Sequence, residues 1–415
     1  MAKKKKILML SDHALSTSGV GTQSRHLIEG LLKKGEWTVR QFGAAMKHEN
    51  YDVQIVNEDF IIKPTDGFGN KELIRTTLAS EKPDVLFIFT DPRFFIWLFE
   101  MEDEIHQVCP IVWWHVWDNE PFPEFNSSFY DATDTINCHS HMTYELLKPQ
   151  YPKKTNFIPH SVPEEVFYPL PEQEKNQYRD RLLGEDNKDN FLVFWMNRNA
   201  RRKRPGDLLW SWKLFLEELE KKHGRKDATL LMHADPLDPE GPNLYAIVEM
   251  LGIKDNVIFS MERVGFEQVN IMHNISDCCI NISYAEGFGL CTLESMQTGT
   301  PIIATKTGGL TRQVVDHRDG SENGVALDVD IKTLVGSQHV PYIYEDYTSV
   351  EKIAEALLTM YEKTPEEKKQ LEHKVRDYVL SEFSYQKTVD AWHDSLNDTI
   401  ENWKSNYDRW VCKEF

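Results

Sequence analysis

Short apolar runs alternate with stretches whose apolar residues recur every three or four positions, and the alternation continues along most of the chain. In the first half, residues 7–10, 85–89, 111–114 and 135–137 read as strands, with helices starting near Thr22, Pro92 and Ser140. A second series reads as strands at 191–196, 229–233, 257–259, 278–282 and 302–304, with helices between them. Beyond Ser349 the pattern is helical almost to the end. Near-continuous apolar strands of this length are buried on both faces, and strands separated by amphipathic helices pair in parallel. The fold class is therefore α/β, with two Rossmann-like domains. Proline and acidic residues cluster from Pro159 to Glu174 and mark a linker, so the domains are placed at 1–170 and 171–384. Such a pair is expected to hold a ligand in a cleft at the carboxyl ends of both sheets.

Composition changes this picture in three ways. At 415 residues, each half is long enough to bury its own core. No apolar run reaches the roughly 20 residues of a membrane span, and the basic start M-A-K-K-K-K-I-L-M-L carries too short an apolar stretch for a signal peptide. The six cysteines (Cys109, Cys138, Cys278, Cys279, Cys291 and Cys412) fit neither a zinc site nor a disulfide framework, so a cytoplasmic setting is expected. A formal net charge of −19 opposes broad contact with nucleic acid or anionic membrane, while leaving room for a local basic cleft.

The most informative stretch is S-Y-A-E-G-F-G-L-C-T-L-E at 283–294. It follows an apolar strand and opens a helix expected to end at Gly299. A chain that breaks at Gly287 and Gly289 and re-enters as a helix aims free backbone N–H groups at an anion. Glu286 before the glycines and Glu294 inside the helix can hold hydroxyl groups around it. Phosphate plus hydroxyls suggests a nucleotide sugar. The basic stretch R-N-A-R-R-K-R-P at 198–205 also follows a strand, with Arg198 and Lys203 five residues apart and Pro205 suited to a helix start. A guanidinium and an ammonium there can clamp a diphosphate and neutralise a departing nucleotide; the alternative is a solvated charged loop or a nucleic-acid patch.

Other positions are less specific. Gly19 and Gly21, in S-T-S-G-V-G-T, either admit a ligand to the backbone or simply form a strand-to-helix turn. In V-W-W-H-V-W-D, Trp113, Trp114 and Trp117 read as core, and His115 as a group that hydrogen-bonds a sugar hydroxyl. Gly308 and Gly309 mark either a further phosphate or sugar contact or plain turn chemistry. No D-x-D ends a strand, and D-V-D at 328–330 lies in a polar loop, so no metal site is expected.

Taken in order, S-G-V-G, H-V-W-D, N-F-I-P-H-S-V-P-E-E-V-F-Y-P, R-N-A-R-R-K-R-P and E-G-F-G-L-C-T-L-E resemble the family-4 retaining glycosyltransferases of the GT-B architecture, over nearly the whole chain. The last motif carries the family's two acids with seven residues between them. The resemblance implies that Arg198 and Lys203 hold the donor diphosphate, and that Glu286 contacts the donor sugar. It places Gly287, Phe288, Gly289 and Leu290 over sugar and phosphate, and Glu294 on the ribose. Gly19 and Gly21 would lie near the distal phosphate and acceptor, and His115 near the sugar's hydroxymethyl group. It also implies a C-terminal helix, about 385–415, crossing back to the first domain. Ser18 replaces a glycine, His160–Ser161 replaces Asn-Gly, and His233 stands where many members have a glycine loop. Those changes weaken any transfer of donor identity.

The implied reaction moves a sugar from a nucleotide-diphosphate sugar to an acceptor hydroxyl on a glycan, lipid-linked sugar or small molecule. It retains anomeric configuration and requires neither cofactor nor metal. One competing acceptor is a hydroxymethylated pyrimidine in DNA, as for phage DNA glycosyltransferases. Competing classes are a nucleotide-sugar epimerase of the same architecture and a non-catalytic sugar-binding module.

Overall fold

The computed structural model describes residues 3–406, so Cys412 and the end of the 385–415 segment lie outside the described residues. The chain divides into two compact units, Met1–Ser161 with Tyr385–Phe415, and Val162–Ser384. The boundary therefore falls nine residues before the 170 expected from the proline cluster. The reason is packing: Val162 and Phe167 are buried in the second unit's core with Cys279, Phe288 and Met296. Tyr168 and Leu170 donate their backbone N–H groups to Asn270 and Asn274.

The first unit is built on an eight-stranded sheet in the order β3-β4-β2-β1-β5-β6-β7-β8. The strands are β1 Lys5–Asp12, β2 Trp37–Ala44, β3 Gln54–Asn57, β4 Phe60–Pro64, β5 Val85–Thr90, β6 Ile111–His115, β7 Thr135–Cys138 and β8 Thr155–Phe157. All pairings are parallel except β3 with β4 at the edge. The expected strands are all present, while β2, β3, β4 and β8 had no clear apolar run. Strand β2 carries Arg40 and Gln41 in its middle, and every residue of β3 is exposed. The helix expected near Thr22 runs from Gly19 to Lys33 with Ser18 as its cap, and Ser140 caps His141–Leu147. At Pro92 a short 3₁₀ turn leads into the four-residue helix Ile96–Phe99 instead of a long helix.

The helix Tyr385–Asn406 belongs to this first unit. Its buried residues Trp392 and Leu396 join the core of the sheet, and Trp392 packs against Phe87 and Trp114 with ring centroids 5.0 and 4.9 Å away. Gly30 allows a close approach, since a Cβ there would lie 2.5 Å from Val389. Trp37 donates its indole N–H to His393 at 3.0 Å, and Tyr385 donates its hydroxyl to the His26 carbonyl at 2.6 Å. Trp392→Ala is therefore expected to cost about 3–5 kcal/mol of first-unit stability, read as a lowered urea midpoint followed by tryptophan fluorescence.

The second unit carries a six-stranded sheet in the order β11-β10-β9-β12-β13-β14, parallel throughout. Its strands are β9 Phe191–Met196, β10 Ala228–His233, β11 Val257–Ser260, β12 Cys278–Asn281, β13 Ile302–Thr305 and β14 Gly324–Leu327. Helices cover both faces, with Trp195, Trp212, Phe215 and Leu230 at the centre of one core. The order reverses between β9 and β12, which is where doubly wound sheets hold ligands, at the carboxyl ends of the strands. Between β14 and the helix Val350–Tyr361, after the loop that carries D-V-D at 328–330, lies an antiparallel hairpin, β15 Ile331–Val335 and β16 Ile343–Tyr347.

Candidate active site

Three loops at the carboxyl ends of β9, β12 and β13 converge in the second unit. After β12, Asn281 turns the chain by accepting hydrogen bonds from the Ser283 backbone N–H at 3.1 Å and the Ser283 hydroxyl at 2.6 Å. Glu286 follows, only 7% exposed, and its Oε2 accepts a hydrogen bond from the Lys203 ammonium. The Asn281 amide and Ser283 hydroxyl each stand 3.4 Å from the same oxygen. Arg202 lies 3.9 Å from Oε1 and donates to the Ala285 carbonyl at 3.2 Å. Burial pushes the Glu286 carboxyl up, but Lys203 and Arg202 outweigh it and hold the group at about 2. Both partners are thus buried and charged, an arrangement that needs each to keep the other.

Lys203 reaches this place because the basic stretch forms the 3₁₀ turn Arg201–Lys203, after which Arg204 adopts a left-handed φ of 53° and Pro205 opens the helix Pro205–His223. Arg198 goes elsewhere. It is exposed and pairs through two hydrogen bonds, 2.7 and 3.1 Å, with Asp238. In this structure Arg198 and Lys203 therefore have different partners and do not form a single clamp.

Gly287, Phe288 and Gly289 form a tight loop. Gly289 has a φ of +91°, and a Cβ there would lie 2.5 Å from Leu310. Gln313 donates its amide to the Phe288 and Gly289 carbonyls at 2.7 and 3.1 Å, and the Gly309 N–H donates to the Glu286 carbonyl at 3.0 Å. The Phe288 ring is buried and stands edge-on to Phe383, so its side chain is core while its backbone shapes the loop. Leu290 begins the expected helix, which ends at Gln297, two residues before Gly299.

Glu294 lies buried in that helix, and its Oε2 has no hydrogen-bond partner. The nearest cationic candidate is His273, whose Nε2 is 3.5 Å away. The His273 ring is fully buried, edge-on to Phe194, and neither ring nitrogen makes a hydrogen bond. Sequence reasoning missed His273 because it sits inside an ordinary helix, Phe266–Asn274, with no motif around it. His233, at the end of β10, shares a 2.9 Å hydrogen bond with Ser260, and burial followed by His273 lowers its pKa.

In the first unit His115 is fully buried. Alternation along β6 puts it on the Trp113 side of the sheet, its ring 4.2 Å from Trp113 and its Nε2 2.9 Å from the Tyr130 hydroxyl. Burial and His139 hold its pKa well below the usual value, so the ring is neutral. His160 is likewise buried and neutral, stacked on His139 at 4.2 Å and edge-on to Trp114. Trp113 and Trp114 are core, as expected. Gly19 and Gly21 lie in the first turn of their helix, and a Cβ on Gly21 would lie 2.6 Å from the His13 carbonyl. Ser18 bonds Gly21 N–H and donates to Asp12, so this loop is held by its own polar network.

Residues 180–378 match the family model described as glycosyl transferases group 1. The group 1 stretch contains Arg198, Lys203, Glu286 and Glu294, while Gly19, Gly21 and His115 precede it. The chain is 27% identical over 249 residues to an N-acetyl-alpha-D-glucosaminyl L-malate synthase of Bacillus anthracis, an alignment covering 56% of this chain and 60% of the relative. It is 34% identical over 190 residues to a D-inositol 3-phosphate glycosyltransferase of Corynebacterium jeikeium, covering 42% and 44%. The matches thus span less than two thirds of these relatives' lengths.

Likeness to solved structures is more extensive. Sucrose-phosphate synthase from Thermosynechococcus elongatus superimposes with a TM-score of 0.72 at 16% identity, over 95% of this chain and 99% of that one. Anabaena HepE in complex with UDP and glucose gives 0.68 at 14% identity, over 95% and 100%. The fold is that of the GT-B glycosyltransferases.

Proposed function

We propose that the protein is a retaining glycosyltransferase that moves a sugar from a nucleotide-diphosphate donor to a hydroxyl of a small acceptor molecule. The observation that carries this reading is the buried Lys203–Glu286 pair, set beside the glycine loop that opens the helix Leu290–Gln297 inside the group 1 stretch. Glu286, ionised and fixed, is suited to accept hydrogen bonds from the donor sugar's hydroxyls. The backbone N–H groups of Gly289 and Leu290 and the Lys203 ammonium meet the negative charge that develops on the departing diphosphate. Arg198 adds a second cation when the diphosphate displaces Asp238. The unpartnered Oε2 of Glu294 suits a ribose hydroxyl, which would satisfy a buried acceptor otherwise left bare.

In this reading Lys203 and the loop N–H groups meet the donor charge, so the transfer calls for neither a resident metal nor another cofactor. The acceptor's proton passes to the departing phosphate oxygen as the new glycosidic bond forms on the same face. The relatives' names specify L-malate and inositol 3-phosphate, which favours a small acceptor and gives a DNA acceptor no support. Those names are of a synthase and a transferase, which favours transfer over epimerisation. Among the described residues no helix is long and apolar enough to cross a membrane, and the five described cysteines are buried and unpaired, which suits a reducing cytoplasm.

Incubation with labelled UDP-, ADP- and GDP-sugars and a panel of hydroxylated acceptors is expected to give a labelled product. NMR of its anomeric centre should show the donor's configuration. Inversion would overturn retention, and failure with every donor would overturn transfer.

A further inference from the structure

The hairpin β15–β16 touches all three loops of the site. From its second strand, the Asp346 N–H donates to the Tyr284 carbonyl at 2.9 Å, two residues before Glu286. The Asp346 carboxylate accepts from the Thr307 hydroxyl at 2.7 Å, beside the loop that carries Gly309. Arg204, next to Lys203, donates to the Thr348 carbonyl at 2.9 Å and lies over the Tyr347 ring. Glu345 is the charged centre of this contact, only 4% exposed. It accepts from the Arg201 guanidinium at 2.8 Å and from the Tyr347 hydroxyl at 2.6 Å. Arg201, with 70% of its side chain exposed, is thereby held over the Tyr284 ring at 5.0 Å.

The arrangement solves a problem of charge allocation. Four consecutive cations, Arg201 to Arg204, sit beside one functional carboxylate, Glu286. Arg204 is taken by Asp207 at 2.8 Å and Arg201 by Glu345, while Arg202 donates to a backbone carbonyl. Lys203 supplies the hydrogen bond to Glu286, with Arg202 a second cation 3.9 Å away. An arginine released from Glu345 would be a long, mobile cation anchored two residues from Lys203, and the Glu286 Oε1 has Arg202 no nearer than 3.9 Å. A guanidinium matches a carboxylate better than an ammonium does, so it competes effectively for that oxygen pair.

We infer that Glu345, on the hairpin, is a positioning residue that keeps Arg201 away from Glu286 and so leaves the hydrogen bond to Glu286 with Lys203, beside Arg202. The catalytic consequence rests on the transfer reading above; the pairing itself does not. Glu345→Gln keeps the shape and removes the charge. Its effect is read first without any donor, by the rate at which an amine-reactive ester labels Lys203, followed by mass spectrometry of the folded chain. Glu345→Gln should raise that rate severalfold, and adding Arg201→Gln should restore protection. With a donor that the wild type uses, Glu345→Gln should lower kcat about tenfold with KM little changed, and the double variant should recover most of it. Unchanged labelling in Glu345→Gln, or a double variant that labels as fast as the single one, would overturn the inference. A wild type inactive with every donor would overturn the transfer reading, and the labelling would still decide the pairing. Matched thermal midpoints separate these outcomes from misfolding.

Discussion

Lys203→Met is expected to lower turnover by about 10²–10³-fold, the cost of removing one preorganised donor from a developing anion. It should also destabilise the second unit. Glu286 would stay buried with Arg202 at 3.9 Å as its closest cation, and breaking a buried pair by removing one partner costs about 3–5 kcal/mol. The two effects separate by pH and by a second substitution. In the wild type the Glu286 carboxyl is held at about 2, below its ordinary 4.5, so its stabilising contribution is complete above 4.5 and is lost as pH falls through 2. In the variant, burial dominates and raises the same carboxyl, so the penalty is largest at neutral pH and shrinks as the group takes up a proton. The stability gap between the two proteins, measured by urea unfolding, should therefore be wide at about pH 7 and narrower near pH 4. Adding Glu286→Gln to Lys203→Met should return much of the stability, because neither group is then charged and bare. It should return none of the turnover. A double variant that regained activity would show that the pair is structural only.

The alternation of apolar runs was enough to place the buried strands, because a strand covered on both faces has no choice but to be apolar. Strands that meet solvent or carry polar side chains into a network, such as β3 and β2, leave no such run. The hairpin β15–β16 leaves no apolar run for the same reason: Ile331 and Leu334 are exposed, and β16 carries the acids Glu345 and Asp346. Yet Glu345 is buried and bonded to Arg201. The Lys203–Glu286 pair links residues 83 positions apart, and spacing within either motif says nothing about that contact. His115 shows the converse. A histidine at a strand end reads as chemical, and the motif alone does not say that the parity of β6 sets it beside Trp113 and Tyr130. Parity follows from which residues fill the opposite layer, information that a local motif does not contain.

Gly309→Ala is expected to disable the site by a route that leaves every charged group in place. Sequence reasoning offered Gly309 as either a ligand contact or a turn residue, and its surroundings point to a third role. A Cβ at this position would lie 2.4 Å from the Phe288 Cα, 2.6 Å from the Gly287 carbonyl oxygen and 2.9 Å from the Phe288 carbonyl oxygen. All three are backbone atoms, which cannot rotate aside as a side chain can. The added methyl must push the 286–289 loop away, and the hydrogen bond from the Gly309 N–H to the Glu286 carbonyl, 3.0 Å, goes with it. Overpacking of this kind costs about 1–3 kcal/mol of stability. A displacement near 1 Å of groups that hold the reacting bond costs about 10²-fold in rate. The expected result is thus a modest fall in thermal midpoint with a disproportionate fall in kcat. Gly206→Ala is the matched control, since its Cβ would meet only Ile247, at 3.5 Å, from within the helix Pro205–His223. That variant should keep its rate and gain slightly in stability, as alanine does over glycine in a helix. Equal rate losses in the two variants would mean that glycine content, and not the backbone contact between the 286–289 and 308–310 loops, governs the site.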